Sequence, residues 1–554
     1  MSASQAQRRH RRELRLRQIA RETLGYDQLR PGQSEAVDAL LHGRDTLAVL
    51  PTGLGKSAIY QLAGIQIEGP TVVVSPLIAL QRDQLDAIGN AGLPSAATLN
   101  SSMRQSERDD ALRRLASGDL EFIFLAPEQF ANGEVLESLK AAEPSLFVVD
   151  EAHCISDWGH DFRPEYLRLG AVVEELGSPV VLALTATAAP PIRAEIVDRL
   201  HMEDPAVVVR GFDRPNIYLA VESFADNDTK RAAFVERVRE ATKPGIVYAA
   251  TRNRTEELAN ALVEAGVSAA AYHAGLTKRE RNEVQSAFMR GRTRVIVATT
   301  AFGMGIDKHD VRFVFHYDIA DSVDAYYQEL GRAGRDGEPA SALLFYRSED
   351  IALRRFFSGT PELRAAEIDE VLRVLERARR PLHEEAIASR TEVSNGHLRA
   401  VLDHLGDVGA IETAPDGAVR LIARGNRQEL IEAAEEANDR RAAFERTRVE
   451  MMRGYAETRD CRREYLLTYF GEAFQGPCGN CDNCTAGSAQ AHDQDEQPFP
   501  LQSRVVHPDF GEGSIVRYEP GRVVVLFDDG GYRTLRLDLV VDDGLLRPAL
   551  TVAD

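Results

Sequence analysis

The chain has 554 residues, a formal net charge of −20 and 44% hydrophobic residues. At about 150 residues per domain, this length predicts roughly three to four domains with ample cores. No stretch reaches the roughly 20 uncharged apolar residues that cross a bilayer. The opening segment MSASQAQRRHRRELRLRQ also lacks the apolar middle of a secretory signal. These features predict a cytoplasmic protein and argue against a membrane-spanning or secreted one.

A basic arm, residues 1 to 23, opens the chain. Residues 1 to 25 hold Glu13 and Glu22 and seven arginines, at positions 8, 9, 11, 12, 15, 17 and 21. The arm could contact phosphates, or it could be a solvated, frayed basic helix. The acidic charge of the whole chain does not exclude a nucleic-acid partner, because binding needs only a local basic surface.

A phosphate-binding loop is predicted in the first domain, residues 24 to 206. The apolar strand TLAVL at 46 to 50 runs into PTGLGKSAIYQLAG, which gives the order strand, glycine loop, helix. Lys56 can reach the β and γ oxygens, and the Ser57 hydroxyl can ligate magnesium. Leu50 stands where the general pattern has glycine, and the loop taken alone could be an ordinary turn. The predicted nucleotide contacts are Thr52, Gly53, Leu54, Gly55, Lys56 and Ser57.

An acidic pair follows a buried strand in the same domain, where SLFVVDEAH at 145 to 153 ends an apolar run in Asp150 and Glu151. Buried strand ends rarely carry two carboxylates without a cation. We therefore expect Asp150 to hold magnesium and Glu151 to orient or deprotonate the attacking water. Two more apolar strands end in hydroxyl residues at the sheet edge where ligands collect. Thr185 and Thr187 are predicted to sense the γ-phosphate, and Ser75 to contact nucleic acid.

An aromatic loop comes next, CISDWGHDFRPEY at 154 to 166, which contains the single tryptophan of the chain. Aromatic and guanidinium planes in one loop suit base stacking and phosphate contact. The alternative is a loop whose aromatic side chains merely pack on the domain. Its predicted nucleic-acid contacts are Trp158, His160, Phe162 and Arg163.

A second parallel-sheet domain is predicted over residues 207 to 350, since 245 to 262 and 294 to 318 repeat the alternation of apolar strand and helix. A helix predicted from DAYYQELGRAGRDG places Gln328, Arg332 and Arg335 about one turn apart on nearly one face. A solvated face is the usual fate of such arginines, but the glycines around them favour a close-approach surface. We predict that Arg335 is an arginine finger and that Arg332 contacts the same phosphate.

Four of the five cysteines crowd into residues 461 to 484. Sixteen residues separate Cys461 from Cys478, and Cys481 and Cys484 follow at two-residue gaps. This spacing is typical of one tetrahedral four-thiolate zinc site in a reducing compartment. Cys154 is predicted to be a small buried residue.

These motifs resemble the RecQ-like branch of superfamily-two DNA helicases, over about residues 24 to 484. The likeness also includes GFDRPN at 211 to 216, YHAGL at 272 to 276 and YYQELGRAGRDG. Asp157 stands where relatives commonly carry glutamine. The resemblance implies 3′ to 5′ translocation on single-stranded DNA with ATP and magnesium. It also implies a structural zinc ion that holds helices together.

The resemblance also implies roles for residues outside the motifs analysed above. The segment around residues 26 to 33 resembles the adenine-reading segment of the family. The implied nucleotide contacts are Tyr26, Arg30, Gln33, Gly305 and Asp307, and the implied DNA contacts are His273 and Thr299.

An extra domain, residues 351 to 425, stands where the family usually has only a short helical link to the zinc module, residues 426 to 484. Its sequence predicts three helices, with caps at Thr391 and Ser394, and two short strands joined by a turn at residues 415 to 417. This pattern predicts a winged helix. In this position it either reaches another part of the DNA or braces the lobes.

A linker at 485 to 500 leads to a predicted five-stranded barrel at 501 to 554. The barrel resembles the Tudor-like tail of UvrD and PcrA helicases, a protein-interaction module. Its acidic balance agrees, because residues 485 to 554 hold 12 Asp or Glu against 6 Arg. By that analogy RNA polymerase or a repair factor is a candidate partner, and a bacterial origin is expected.

The predicted architecture is α/β, with two tandem RecA-like lobes, a winged helix, a helical zinc module and a small C-terminal β-barrel. The predicted activity is that of an ATP-dependent 3′ to 5′ DNA helicase in repair or recombination. It would use ATP, magnesium and zinc, act on single-stranded and forked DNA, and associate with the nucleoid. An RNA helicase, a non-unwinding remodeller and a nucleotide-dependent binding scaffold are the alternatives.

Overall fold

The computed structural model describes most of the chain. It covers residues 15–26, 28–30, 32–51, 55–76, 81, 84–86, 88–89, 95–100, 103–156, 163–303, 308–351, 363–414, 417–423, 426–472, 474–489, 497–501, 503–519, 521–528 and 530–549. The chain divides into two compact units. The first comprises residues 1–50, 54–211 and 360–442, and the second comprises 51–53, 212–359 and 443–554. In the part of the chain so described, no helix is both long and apolar enough to cross a membrane.

The first unit is built on a seven-stranded parallel sheet with strand order β3-β4-β2-β5-β6-β1-β7. Most strands are short apolar runs buried along their whole length, which is the pattern of a parallel sheet covered on both faces. The strands are β1 (Thr46–Val49), β2 (Thr71–Val74), β3 (Ala96–Leu99), β4 (Phe122–Leu125), β5 (Leu146–Val149), β6 (Val180–Thr185) and β7 (Ala206–Val209).

Helices connect these strands: α1 (Gln33–Leu40), α2 (Ser57–Gly64), α3 (Gln105–Ala116), α4 (Gly133–Ala141), α5 (Leu169–Glu175) and α6 (Pro190–Arg199). Short 3-10 turns occur at Pro127–Ala131, Ala152–Ile155 and Pro164–Arg168. Residues 15–24 are also helical, and Leu16 and Ala20 enter the core of this lobe. The described part of the basic arm is therefore a packed helix rather than a frayed one.

The second unit contains a six-stranded parallel sheet with order β10-β11-β9-β12-β13-β8. Its strands are β8 (Ile217–Ser223), β9 (Gly245–Tyr248), β10 (Ala269–Tyr272), β11 (Val295–Ala298), β12 (Phe313–His316) and β13 (Ala340–Tyr346). Its helices are α7 (Asn227–Glu240), α8 (Arg252–Glu264), α9 (Lys278–Met289) and α10 (Val323–Leu330). Side-chain oxygens cap all four helices, because Asp226, Thr251, Thr277 and Ser322 accept first-turn amides. The two predicted parallel-sheet lobes are confirmed.

The helix predicted through the arginines ends early. α10 stops at Leu330, and Arg332 and Arg335 lie in the turn that follows. The prediction that both share a helical face with Gln328 is therefore wrong. The helix ends at its C-cap Gly331, a residue type of low helix propensity, and Gly334, whose φ of +54° lies in the left-handed region that a right-handed helix excludes, prevents the helix from continuing through Arg335. A Cβ there would lie 2.4 Å from Asn216 Nδ2, so the expected close approach is present.

The inserted domain has three helices and a hairpin, as its sequence predicts. They are α11 (Ala365–Arg377), α12 (Glu384–Ala388), α13 (Asn395–Asp407), β14 (Ile411–Thr413) and β15 (Val419–Leu421). Ser394 caps α13 by accepting from the His397 amide. The cap predicted at Thr391 is wrong, because no helix begins there and its hydroxyl donates to the Ile387 carbonyl at 3.2 Å. Residues 415 and 416 of the predicted turn lie outside the described residues.

The zinc module begins with a long helix, α14 (Arg427–Glu457), followed by α15 (Arg462–Tyr469) and α16 (Asp482–Thr485). It lies against β8, the edge strand of the second sheet. A backbone bridge pairs Leu219 with Cys481, and the Val221 amide donates to Asp482 Oδ2 at 2.9 Å. The module thereby covers a sheet edge that would otherwise expose unpaired backbone groups.

The C-terminal domain is a five-stranded antiparallel sheet of order β19-β18-β17-β16-β20, which confirms the predicted strand count. The strands are β16 (Arg504–His507), β17 (Gly511–Glu519), β18 (Arg522–Phe527), β19 (Gly531–Arg536) and β20 (Arg547–Pro548), with helix α17 (Leu537–Asp542) between the last two. Apolar residues alternate along the strands and fill one core that includes Val505, Ile515, Val523 and Val525.

Candidate nucleotide and nucleic-acid site

The phosphate loop joins β1 to the first turn of α2. Gly55 has φ +70°, the left-handed conformation that a tight loop requires, and Ser57 begins the helix. Lys56 Nζ donates to the Leu50 carbonyl at 3.1 Å. Backbone amides at a helix N-terminus and an adjacent lysine can bind an anion. Thr52, Gly53 and Leu54 lie outside the described residues.

The segment expected to read adenine is tied to this loop through Gln33. Gln33 is buried; its Oε1 accepts from the Arg30 amide at 2.7 Å, and its Nε2 donates to the Gly55 carbonyl at 2.8 Å. Tyr26 is 42% exposed and available for stacking. A ligand that shifts the backbone of Arg30 would therefore also act on Gly55 of the phosphate loop through Gln33.

The carboxylates of Asp150 and Glu151 follow β5 at its carboxyl end. Burial and the charge of Glu151 raise the pKa of Asp150 to about 7, and Lys56 opposes the shift. Glu151 has φ +51°, a strained conformation for a residue with a side chain. Two carboxylates crowded at a buried strand end, with a lysine near enough to influence one of them, are a suitable setting for a divalent cation.

His153 connects the acidic pair to β6. Its Nδ1 lies 2.9 Å from Thr185 Oγ1 and 3.4 Å from Glu151 Oε2, and Thr185 Oγ1 donates to the Thr187 carbonyl at 2.9 Å. Burial, aided by Lys56 and Arg163, lowers the pKa of His153 to about 3, so its imidazole is neutral. The sequence by itself predicts no role for His153, although this residue belongs to the DEAH motif.

Residues that frame the aromatic loop are described, whereas Trp158, His160 and Phe162 lie outside the described residues. Arg163 Nη1 donates to the Pro76 carbonyl at 3.4 Å, and the Tyr166 hydroxyl donates to the Asp150 carbonyl at 3.0 Å. The carboxyl end of the loop is thus fixed to the backbone of the acidic pair. Ser75 follows β2 and is buried, and its hydroxyl has no hydrogen-bond partner among the described residues.

The arginine turn, residues 331 to 335, is in the second unit. Arg332 is 5% exposed, whereas Arg335 and Gln328 are partly exposed. Burial raises the pKa of Tyr248 well above its usual range, and Arg332, which lies beside it, opposes that shift. Two further predicted nucleotide contacts, Gly305 and Asp307, lie outside the described residues.

His273 and Thr299 follow the neighbouring parallel strands β10 and β11, so both lie at one edge of the second sheet. His273 Nε2 lies 3.0 Å from Glu256 Oε1, and its Nδ1 is buried without a hydrogen-bond partner among the described residues. Thr299 is partly exposed. These side chains are placed where ligands of parallel sheets bind.

The zinc ligands predicted from spacing come together. The Sγ atoms of Cys461, Cys478, Cys481 and Cys484 all lie within 4.8 Å of one another, and those of Cys478 and Cys484 are 3.9 Å apart. Tetrahedral zinc with bonds of about 2.3 Å requires sulfur pairs about 3.8 Å apart. The Asn480 amide donates to Cys478 Sγ at 3.3 Å, which stabilises thiolate charge. The four sulfurs fit a closed zinc site, and Cys154 is buried elsewhere.

Three family models match the chain: DEAD/DEAH box helicase over residues 30–194, helicase conserved C-terminal domain over 229–337, and RecQ zinc-binding over 421–485. The probable ATP-dependent DNA helicase RecS of Bacillus subtilis (strain 168) is 36% identical over 472 residues, which cover 85% of this chain and 91% of that protein.

Two proteins named ATP-dependent DNA helicase RecQ are also similar. The protein of Synechocystis sp. (strain ATCC 27184 / PCC 6803 / Kazusa) is 34% identical over 487 residues, covering 85% of this chain and 98% of the relative. The protein of Pasteurella multocida (strain Pm70) is 37% identical over 478 residues, covering 85% of this chain and 63% of the relative.

Proposed function

Because the chain belongs to the RecQ family of ATP-dependent DNA helicases, we propose that it moves 3′ to 5′ on single-stranded DNA and unwinds duplexes in repair or recombination. The single observation that supports ATP dependence is the pair Asp150 and Glu151 at the carboxyl end of the buried strand β5, where burial and the charge of Glu151 raise the pKa of Asp150 although Lys56 opposes the shift. A divalent cation bound with a nucleotide would stabilise both carboxylates in their charged form.

We assign the chemical roles within this proposal as follows. Lys56 and the loop amides bind the phosphates, Ser57 and Asp150 hold magnesium, and Glu151 orients the attacking water. Magnesium, when bound, would neutralise charge on the phosphate oxygens. Arg335 stabilises the charge that develops on the transferred phosphoryl group, and Arg332 contacts the same phosphate.

For DNA, we propose contacts from Ser75 and Arg163 in the first lobe and from His273 and Thr299 in the second. Ser75, His273 and Thr299 directly follow strands at the carboxyl edges of their sheets, and Arg163 lies beyond β5 and donates to the carbonyl of Pro76, next to Ser75. Aromatic residues of the 154–166 loop would add base stacking. The substrate class proposed is a single strand next to a duplex, as in a forked molecule.

We propose that the C-terminal domain binds a protein, with RNA polymerase or a repair factor as candidates, and that the helicase associates with the nucleoid. The support is its small five-stranded antiparallel sheet, its likeness in sequence to Tudor-like helicase tails, and its acidic balance.

The proposed function is tested by strand displacement on 3′-tailed, 5′-tailed and forked DNA, alongside phosphate release stimulated by single-stranded DNA or RNA. We expect ATP-dependent displacement of 3′-tailed and forked substrates, stimulation by DNA, and loss of both in Lys56→Ala. Preference for the 5′ tail would reject the polarity. Stimulation by RNA alone would instead identify an RNA helicase.

A further inference from the structure

The GFDRPN segment, residues 211 to 216, contacts the backbone of the arginine turn. Arg214 donates three hydrogen bonds to its carbonyls: Nη1 to Gly331 at 3.1 Å, and Nη2 to Ala333 at 2.7 Å and Gly334 at 2.9 Å. The last carbonyls of a helix, and those of the turn beyond it, have no amide partner within the helix. The Arg214 guanidinium therefore donates to backbone carbonyls that α10 itself cannot pair.

Asn216 holds the same turn from its other end. Its Nδ2 donates to the Gly334 carbonyl at 2.8 Å and to the Glu338 carbonyl at 2.9 Å. The close approach depends on glycine at 334, because a Cβ there would also lie 2.8 Å from the Glu338 oxygen. Five hydrogen bonds from two side chains therefore fix the backbone between Gly331 and Glu338, which carries Arg332 and Arg335.

The same segment is fixed on its other side by the zinc module. Phe212 stacks on Phe470 with ring centroids 4.6 Å apart, and its amide donates to Glu472 Oε2 at 2.8 Å. Arg463, two residues after the zinc ligand Cys461, pairs with Asp213 at 2.6 Å.

A second contact comes from the loop between two zinc ligands. Asn480 Nδ2 donates to the Pro215 carbonyl at 2.9 Å, and Asn480 lies between Cys478 and Cys481. Residues held in place by the four cysteines thus contact the segment on both sides of Arg214.

We propose that residues 211 to 216 act as a clamp through which the folded zinc module positions the arginine turn for ATP hydrolysis. Arg214 and Asn216 are positioning residues: they hold the main chain that carries Arg335, and their loss lets that main chain shift. A small displacement of a group that stabilises a transition state lowers turnover much more than ligand affinity. The inference rests on the proposed role of Arg335.

The test compares Arg214→Ala, Arg214→Lys and Asn216→Ala with the matched control Arg237→Ala. Arg237 is an arginine of the same lobe, paired with Glu222 at 2.7 Å on the surface. Arg214→Ala is expected to lower DNA-stimulated kcat about tenfold or more, with nucleotide Kd and zinc content unchanged. Arg214→Lys should recover only part of the rate, because lysine lacks the planar fork. Arg237→Ala should behave as wild type.

The decisive measurement is the double variant Arg214→Ala/Arg335→Ala. If Arg214 acts through Arg335, the double variant turns over no more slowly than Arg335→Ala alone, since a positioning residue contributes nothing once its target is gone. Additive losses, or loss of zinc and a lower thermal midpoint in Arg214→Ala, would show a merely structural contact. Should Arg214→Ala unfold, the milder Arg214→Lys and Asn216→Ala must show the same non-additivity with Arg335→Ala.

Two results separate this inference from the proposed function. Unchanged turnover in Arg335→Ala would reject the finger and the clamp together. Impaired turnover in Arg335→Ala with normal turnover in Arg214→Ala and Asn216→Ala would reject the clamp alone and leave the helicase assignment standing.

Discussion

Arg335 is partly exposed at the end of a turn whose main chain is fixed by hydrogen bonds. We expect Arg335→Ala to leave ATP affinity nearly unchanged and to reduce kcat by about a hundredfold or more, because a finger acts on transition-state charge. Equilibrium titration with a nucleotide analogue and steady-state phosphate release measure the two quantities separately. Arg237→Ala is the control for loss of one positive charge, and an unaltered kcat in Arg335→Ala would contradict the role.

Gly334 supports a second prediction at the residue scale. A side chain at φ +54° is strained, and its Cβ would overlap Asn216. Gly334→Ala should therefore destabilise the second lobe by about 1–3 kcal/mol and slow ATP hydrolysis. Gly337→Ala is a matched control, since that glycine also has positive φ but a Cβ there would meet open space. Equal unfolding free energies for the two variants would contradict a specific contact at Gly334.

Single residues differ in how far sequence predicts their roles. Asp150 and Glu151 are adjacent and follow an apolar run, so a local pattern identifies them. His153 contacts Thr185, 32 positions later, and that pairing exists only because β5 and β6 are neighbours in the sheet. Arg214 belongs to the GFDRPN motif, but the sequence does not predict its role, because its hydrogen-bond partners lie 117 to 120 residues further along the chain.

At the scale of elements, the zinc module is the clearest case for a metal-dependent fold. Cys478→Ser removes one of four thiolates, so we expect loss of bound zinc and a lower thermal midpoint. Loss of zinc should also destabilise the second lobe, because the zinc module pairs with the edge strand β8 of that lobe. Zinc content and calorimetry measure both effects. Cys154→Ala removes a thiol outside the cluster and should keep full zinc content; zinc retained by Cys478→Ser would contradict the assigned ligand.

The inserted domain contacts the first lobe through the end of α13 and through its hairpin turn. Arg199 Nη2 donates to Asp407 Oδ1 at 2.9 Å at the end of α13, and a Cβ on Gly417 in the hairpin turn would lie 3.1 Å from Arg168. These contacts are compatible with a brace, and a role of this domain in duplex binding stays a prediction. The sequence does not distinguish a bracing role from a duplex-binding role, because both would use the same three helices and hairpin.

A charge-reversal pair tests that brace. Arg199→Asp and Asp407→Arg should each lower the unfolding free energy of the first unit by about 1 kcal/mol, because each variant places two like charges together at a partly exposed contact. The double variant should recover most of the loss. Duplex affinity should stay unchanged in all three proteins. A fall in duplex affinity without a change in stability would instead support a DNA-binding role.

At the scale of the whole molecule, the C-terminal domain is packed on the zinc module. The Arg517 guanidinium lies 3.5 Å from the ring centroid of Tyr465, and Tyr532 stacks on Tyr469 with centroids 5.7 Å apart. All four side chains are buried. The segment 485 to 500, predicted to be a linker, thus leads into a domain that contacts the zinc module directly.

Truncation after residue 489 should therefore destabilise the zinc module. Exposing Tyr465 and Tyr469 costs about 1.5–3 kcal/mol for each large side chain. We expect a lower thermal midpoint and faster zinc release to a chelator in the truncated chain. Arg517→Ala, which leaves the rest of the domain in place, should show a smaller change in the same direction. A truncated chain with wild-type zinc retention would indicate an independent, tethered module.

The sequence by itself determined the two lobes, the phosphate loop, the acidic pair and the zinc ligands, because each depends on a run of neighbouring residues or on a fixed spacing. Tertiary structure alone decided that the arginines lie in a glycine turn, that His153 contacts Thr185, and that residues 211 to 216 join the zinc module to that turn. These contacts connect residues far apart in the chain, and local propensity carries no information about which distant groups satisfy a given carbonyl or carboxylate.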